Sequence, residues 1–346
     1  MEPRRTGSSP ERGDAAGKGS LMSLELFLQH FFNALTLGSL YGLIAIGYTM
    51  VYGILRLINF AHGDILMLGA YFVFYGTTLF CLPWPLAVVV SILGSAALGV
   101  LMDKIAYRPL RDAPRISALI SAIAVSFFLE SLAVVVFTGL PRPVHQPEWL
   151  ISIITIGGAR LMPLTLLVPG VTAILVAALL YVVYHTKPGL AMQAISKDIE
   201  TTRMLSVSVD KIIALTFAIG SALAAASGIM WALRYPQINP YMGVFPGFKA
   251  FIAAVFGGIG SIPGALLGGL LLGVIETFAR AYISTELSTA ICLYTVRTQT
   301  LTLAIYTYVS RGNDGIAAAL ATILSLTTVV SLLLFMKLSK SKDVTL

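Results

Sequence analysis

Charged side chains are scarce in this sequence. They make up 11% of the 346 residues, whereas 57% of the residues are hydrophobic and the mean hydropathy is +0.87. A soluble globular protein carries about a quarter charged residues. The shortage of charge and the long apolar runs therefore exclude an ordinary soluble protein and predict an all-α, polytopic membrane protein. The runs are longer and more continuous than the strands of a transmembrane barrel. Because backbone groups in lipid must then form their hydrogen bonds within their own span, the runs are predicted to be helices.

Residue types that carry chemistry are also scarce. Cys81 and Cys292 are the two cysteines, and they offer neither a CxxC pair nor a disulfide framework. The four histidines are scattered, so no metal site is predicted. A GxxxxGK[ST] motif is missing, which excludes a phosphate-loop nucleotide site on this chain. The spans also contain no HExxH, GxSxG or paired carboxylates, which makes a membrane-embedded enzyme a weak alternative.

We interpret the net charge of +7 as a signal for the orientation of the loops in the membrane and not as a sign of nucleic-acid binding. Basic residues concentrate between the apolar runs and in the tails, as expected of loops on the cytoplasmic side. Segment 103–115, DKIAYRPLRDAPR, is therefore predicted to be cytoplasmic, and so is the basic tail KLSKSKDVTL.

The apolar runs predict a bundle of about 8–10 spans, some of them broken or re-entrant. The run 65–102 is too long for one crossing, and Pro83-Trp84-Pro85 divides it into two. The other runs are 31–55, 116–138, 161–184, 212–233, 250–275 and 315–336. Segments 139–160 and 234–249 are predicted to be outer loops.

A polar segment, residues 185–211, separates two of these runs. Its charges are mixed: Lys187, Lys197, Arg203 and Lys211 against Asp198, Glu200 and Asp210. The pattern predicts a short helix from about Leu190 to Leu205. Topology places the segment on the same side as 103–115, so we interpret it as a docking surface for a soluble partner.

Residues 56–71, RLINFAHGDILMLGAY, place polar side chains between two apolar runs. One interpretation is a discontinuous helix that lines a substrate path, with Asn59, His62, Gly63 and Asp64 as candidate residues. The other is a short aqueous loop with capping residues. Spacing alone leaves both open.

Region 250–275 is rich in small residues at four-residue intervals, which allows helix backbones to approach closely. The candidate packing residues are Gly257, Ser261, Gly264, Gly268 and Gly269. Such a seam can join a second permease subunit or pack within the chain. Pro263 and the Gly257-Gly258 pair predict a break, and Glu276 and Arg280 are spaced as an i, i+4 ion pair.

Three stretches carry a resemblance to a known family. They read LINFAHGDILMLGAY (57–71), AISKDIETTRMLSVSVDKIIALTFAIGSALAAASG (194–228) and GFKAFIAAVFGGIGSIPGALLGGLLLGVIE (247–276). From Met22 to about Ser288 the chain resembles the LivH-type permease of branched-chain amino acid ABC importers. Residues 1–21 are predicted to be a disordered leader. Residues 289–346 resemble the end of a different class of ABC permease, which suggests a fusion.

The resemblance implies that the polar segment is the loop that couples the permease to its ATPase. The residues that map to this loop are Ala194, Ser196, Lys197, Asp198, Glu200, Arg203, Leu205 and Ser206. Two of them depart from the family pattern: Lys197 replaces an acidic residue, and Ser206 replaces a glycine.

The resemblance also implies the partners. They are a second permease subunit, two ATPase subunits that use ATP, and a periplasmic substrate-binding protein, in a bacterial plasma (inner) membrane. The chain itself would be a transporter subunit, not an enzyme, and would bind no cofactor and no nucleic acid. The alternatives are a stand-alone secondary transporter or channel for a small solute and a non-functional fusion product.

Overall fold

The computed structural model describes residues 12–55, 59–111, 115–156 and 159–282. Within these ranges the chain is a helical bundle with two small antiparallel strand pairs. The helices are α1 (Arg12–Leu55), α2 (His62–Thr78), α3 (Trp84–Met102), α4 (Arg115–Phe137), α5 (Glu148–Ile151), α6 (Pro163–His185), α7 (Lys187–Lys197), α8 (Ile199–Met204), α9 (Val209–Arg234), α10 (Val244–Gly257) and α11 (Ile262–Tyr282). The strands are β1 (Arg142–Pro143), β2 (Ile154–Ile156), β3 (Ala159–Leu161) and β4 (Gln237–Ile238).

Six helices in the described ranges are long and apolar enough to cross a membrane, which confirms the all-α polytopic class. They are Glu25–Leu55, Trp84–Leu110, Ser117–Phe137, Pro163–His185, Val209–Arg234 and Ile262–Ala281. Helices α2, with 17 residues, and α10, with 14, are shorter. The predicted run 315–336 and the predicted segment 289–346 lie outside the described residues.

Each end of the bundle is identified by a contact between loops. At one end, Arg111, in the loop between α3 and α4, pairs with Asp210 in the first turn of α9. At the other end, β1 pairs with β4, with Arg142 opposite Ile238. The first end thus gathers the basic segment 103–111 and the polar segment, and the second joins the two predicted outer loops.

Helix α1 occupies the centre and packs on α6, α9, α10 and α11. It runs antiparallel to α9, because Asn33 accepts a hydrogen bond from Arg234 and Gly47 lies beside Gly220 further along. The span of α1 therefore starts at the end of the outer loops. The helix begins at Arg12, within the predicted leader, and residues 1–11 of that leader lie outside the described ranges.

The polar segment differs from its predicted form. Instead of one helix from Leu190 to Leu205, it contains α7 and α8. The break lies at Asp198, whose backbone is extended with φ −150° and ψ 113°. Its carboxylate accepts hydrogen bonds from the backbone N–H groups of Glu200 and Thr201, at 2.9 and 3.2 Å. The physical reason for the break is helix capping: an aspartate that caps a new helix stands outside it.

Candidate functional site

Helix α7 is held against the bundle. Its residues Met192 and Ile195 are buried, and Gly189 lies against the end of α6. A Cβ at Gly189 would stand only 2.1 Å from the carbonyl oxygen of Val182, so the two backbones touch. The start of α7 is capped by Thr186, whose hydroxyl accepts from the N–H of Gly189 at 3.3 Å. This part of the polar segment is thus an extension of the bundle.

Helix α8, in contrast, presents apolar side chains to water. Met204 is 84% exposed and Leu205 is 71% exposed, and Ile199 is also exposed. Thr202 is the buried residue of this helix. Apolar side chains grouped on an aqueous loop are typical of a protein-binding surface. Exposed Glu200 and Arg203 add charge of both signs to it.

The capping hydrogen bonds also affect the acidity of Asp198. The hydroxyl of Thr201 donates to its carboxylate, and the backbone N–H groups of Thr201 and Glu200 do the same. These bonds, that of the Thr201 hydroxyl first, lower the pKa of Asp198 below its usual value. The cap therefore stays ionised to a lower pH than an aspartate without these hydrogen bonds.

The turn that ends α8 places a serine in a backbone conformation that favours glycine. Ser206 adopts φ 60°, in the left-handed region that favours glycine. Its N–H donates to the carbonyl of Arg203 at 3.2 Å, and together these features end the helix. A glycine in this position would adopt the same backbone without strain.

The predicted coupling residues lie on both helices and do not form one surface. Ala194 and Ser196 belong to α7 and are half-buried, and the Ser196 hydroxyl donates to the carbonyl of Gln193 at 2.8 Å. The other predicted coupling residues are exposed: Lys197, Asp198, Glu200, Arg203, Leu205 and Ser206.

An ionic cluster beside α8 was not predicted from the sequence. Arg111 donates through Nη1 to Asp210 at 2.5 Å and through Nη2 to Asp103 at 2.6 Å. Arg108 also donates to Asp210, at 2.5 Å. Asp210 lies 99 residues from Arg111 in the chain, and no local pattern signals such a pair. The cluster fixes the end of α3 to the start of α9.

The candidate translocation residues lie where the chain passes from α1 to α2: Asn59 is in the interruption, and His62, Gly63 and Asp64 form the start of α2. Asn59, His62 and Asp64 are 2%, 1% and 2% exposed, so they are not in an aqueous loop within this chain. The hydroxyl of Ser126, on α4, donates to Asp64 at 2.5 Å. The hydroxyl of Tyr107 donates to the Asn59 side chain at 2.7 Å. The interruption is thus tied to both α3 and α4.

Two interrupted helices begin side by side. The backbone at Gly63, in the first turn of α2, touches that of Gly243, which precedes α10. A Cβ added at Gly63 would stand 2.6 Å from the carbonyl oxygen of Gly243, and a Cβ at Gly243 would stand 2.0 Å from that of Gly63. Neither helix start has a capping side chain. Only glycine allows this approach.

A narrow cleft lies between α1 and α10, beside this junction. It is lined by Tyr48, Thr49, Tyr52, Phe251, Ala254 and Ile259. The Thr49 hydroxyl is buried and makes no hydrogen bond with the described residues. The cleft has a volume of about 10 Å³, which is room for a single water molecule and too little for a solute.

The predicted packing residues form contacts within the chain. Gly257 and Gly264 bring the ends of the α10–α11 hairpin together, since a Cβ on either would stand 2.0 Å from the other's carbonyl oxygen. Gly268 touches Ala253 in the same way, at 2.1 Å. Gly269 packs on Gly42 of α1. Ser261, exposed in the turn, accepts a hydrogen bond from the N–H of Gly264 at 3.3 Å.

A buried ionic group also joins α1, α10 and α11. Glu276 is fully buried and accepts from Lys249 at 2.6 Å and from the Tyr41 hydroxyl at 2.9 Å. The predicted pair of Glu276 with Arg280 is present as well. Lys249 is 27 residues from Glu276, so the sequence spacing gave no signal for it. Among the described residues, no three metal-binding side chains gather into a site.

Comparison with known proteins concerns the sequence as a whole. Residues 30–299 match the family described as branched-chain amino acid transport system / permease component. The chain is 42% identical over 273 residues to the high-affinity branched-chain amino acid transport system permease protein LivH of Escherichia coli, which covers 75% of this chain and 88% of that protein. It is 42% identical over 263 residues to the corresponding permease protein BraD of Pseudomonas aeruginosa, covering 73% and 86%. A probable branched-chain amino acid permease of Methanocaldococcus jannaschii is 24% identical over 265 residues, covering 75% and 84%.

Proposed function

The chain belongs to the branched-chain amino acid transport permease family, and we propose that it is the transmembrane subunit of an ATP-driven importer that moves branched-chain amino acids or a similar small solute inward. The family match covers residues 30–299, which is most of the chain. The protein is a multi-pass protein of the bacterial inner membrane, as its relatives and its six apolar helices indicate.

We further propose that α8 is the contact with an ATPase subunit. The observation that carries this is the pair of exposed apolar side chains, Met204 and Leu205, at the end of the bundle that the basic segments predict to be cytoplasmic. The helix is short and capped, and only residues 205–208 separate it from α9, so a displacement of α8 reaches a span through a single short turn.

The remaining parts of the importer follow from this role. A chain without a phosphate loop needs separate ATPase subunits, and we propose two of them with a second permease subunit. The outer loops joined by β1 and β4 would receive a periplasmic substrate-binding protein. The substrate path would pass the interruption at Asn59, His62, Gly63 and Asp64. Residues 289–346 would form a divergent terminal segment, and the family match ends at residue 299.

Replacing Met204 and Leu205 together with serine tests the docking role. The double variant should lose co-purification with the ATPase subunits while the permease itself remains folded, because neither side chain is part of the core. The matched control is Leu140→Ser, which removes an equally exposed leucine (73%) from an outer loop and should leave the complex intact.

Asp198 is a poor choice for this experiment, because its replacement also removes the cap of α8. Glu200→Lys changes the charge of the same surface without that effect. Full retention of the ATPase subunits by the Met204→Ser/Leu205→Ser variant would overturn the docking role.

A further inference from the structure

The ionic cluster of Asp103, Arg108, Arg111 and Asp210 is connected to the start of α2 by a short row of side-chain contacts. Asp210 lies in the first turn of α9, which follows α8 after a brief turn. Arg111 joins Asp210 to Asp103 through two different nitrogens of one planar guanidinium. The Arg111 and Asp103 side chains are only 14% and 2% exposed, so water and salt weaken the bond between them little, whereas Asp210 is 46% exposed.

The second part of the row is a π-helical turn, Asp103–Tyr107, at the end of α3. Asp103 stands at its start and Tyr107 at its end. Tyr107 is 1% exposed, its ring packs on Phe217 at 5.1 Å, and its hydroxyl donates to Asn59 at 2.7 Å. π-Helical turns are rare in proteins, and those that exist are often found at functional sites.

The row ends at the start of α2. The carbonyl of Asn59 accepts a hydrogen bond from the N–H of His62 at 3.2 Å, and its side chain accepts one from the Tyr107 hydroxyl. Asn59 therefore connects Tyr107 to the first turn of α2. A buried hydrogen bond that breaks without replacement is costly, so groups joined in this way tend to move together.

We propose that Arg111 and Tyr107 are positioning residues that transmit movement of α8 to the interruption before α2. The inference rests on the proposed function, because it takes α8 as the ATPase contact. In this arrangement a displacement of α8 moves Asp210, and Arg111 transmits the displacement from Asp210 to the π-helical turn. Tyr107, at the end of that turn, then shifts Asn59 beside the candidate path. A purely structural role would hold the same groups together without affecting how ATP use is linked to transport.

Arg108 provides an internal comparison. It bonds to the same Asp210 carboxylate, but its side chain is 52% exposed. An exposed ion pair is screened and contributes little to rigidity. Arg108→Gln should therefore leave coupling unchanged, whereas Arg111→Gln should reduce it.

The test is the amount of leucine transported per ATP hydrolysed by the assembled importer in proteoliposomes. Tyr107→Phe removes one hydroxyl and keeps the ring on Phe217. It should lower this ratio by roughly 2- to 30-fold, the range expected for coupling energies of this kind, while the ATPase subunits remain bound. Arg111→Gln should have a similar effect, and Arg108→Gln should match the wild type.

The double variant Tyr107→Phe/Arg111→Gln distinguishes one route from two independent defects. Loss of either residue interrupts the same row, so the double variant should transport about as much per ATP as the worse single variant. A ratio unchanged by Tyr107→Phe, multiplicative losses in the double variant, or equal losses of transport and hydrolysis would overturn the inference alone. If the wild-type assembly showed no ATP-dependent uptake, the proposed function would fall as well.

Discussion

Gly243→Ala should disrupt the junction between α2 and α10. The added Cβ would stand 2.0 Å from the carbonyl oxygen of Gly63, and such contacts essentially never fall below 3.0 Å, so backbone must move by about 1 Å. Gly243 has φ −80°, which alanine adopts without strain, so the cost is steric and not conformational. Overpacking of this kind costs about 1–3 kcal/mol.

Gly170→Ala is the matched control, because a Cβ there meets nothing within 4 Å. It lies in the interior of α6, where alanine is favoured over glycine by about 0.5–1 kcal/mol. The two alanine variants should therefore differ in free energy of unfolding by about 2 kcal/mol or more. Thermal unfolding of the detergent-solubilised protein measures this difference, and leucine uptake should fall for Gly243→Ala only. Equal thermal stability of the two variants would refute the close approach of α2 and α10.

Three further predictions concern individual side chains. Asp198→Ala should accelerate hydrogen exchange of the α8 amides. Acid should have the same effect, because the pKa of Asp198 is lowered in the folded protein: the cap stabilises α8 fully above about pH 4, and this stabilisation is lost as the pH falls through the folded-state pKa of Asp198. Ser206→Gly should raise the stability of the loop by about 1 kcal/mol, because glycine adopts the left-handed backbone conformation without strain. Slower hydrogen exchange of the α8 amides would measure this gain. Glu276→Gln should cost about 3–5 kcal/mol by leaving buried Lys249 without its carboxylate. The double variant with Lys249→Met should regain part of that loss in a thermal unfolding experiment, and no recovery would contradict the pairing.

The apolar spans, and the gathering of two basic segments at one end of the bundle, could be predicted from sequence because both depend on composition. A helix needs about 20 apolar residues to cross a bilayer, and basic loops stay on the cytoplasmic side. Segment 103–111 and the polar segment indeed lie at one end of the bundle, where Arg111 meets Asp210. The pair of Glu276 with Arg280 was also predictable, because i, i+4 spacing is local.

The break at Asp198 was missed although a signal for it exists. Asp198 stands just before Ile-Glu-Thr, a pattern typical of a helix N-terminus. The apolar spacing that continues from Ile195 to Leu205 concealed this signal and favoured one helix. In the structure capping takes precedence, and it turns α8 away from the core.

Contacts distant in sequence could not be predicted. The bonds of Arg111 to Asp210, of Tyr107 to Asn59 and of Lys249 to Glu276 depend on which helices become neighbours. The sequence alone shows only that such side chains need partners in an apolar bundle. The partners of the α11 glycines likewise follow from packing, because small residues permit a close approach without specifying what approaches.

The central claim is that this chain works as a subunit of an ATP-driven importer. Uptake of leucine into proteoliposomes that contain the permease with and without its ATPase subunits tests it most directly. We expect uptake that requires ATP, the ATPase subunits and exposed Met204 and Leu205. Uptake that persists in the absence of every ATPase subunit would contradict the claim and would favour a stand-alone secondary transporter or channel.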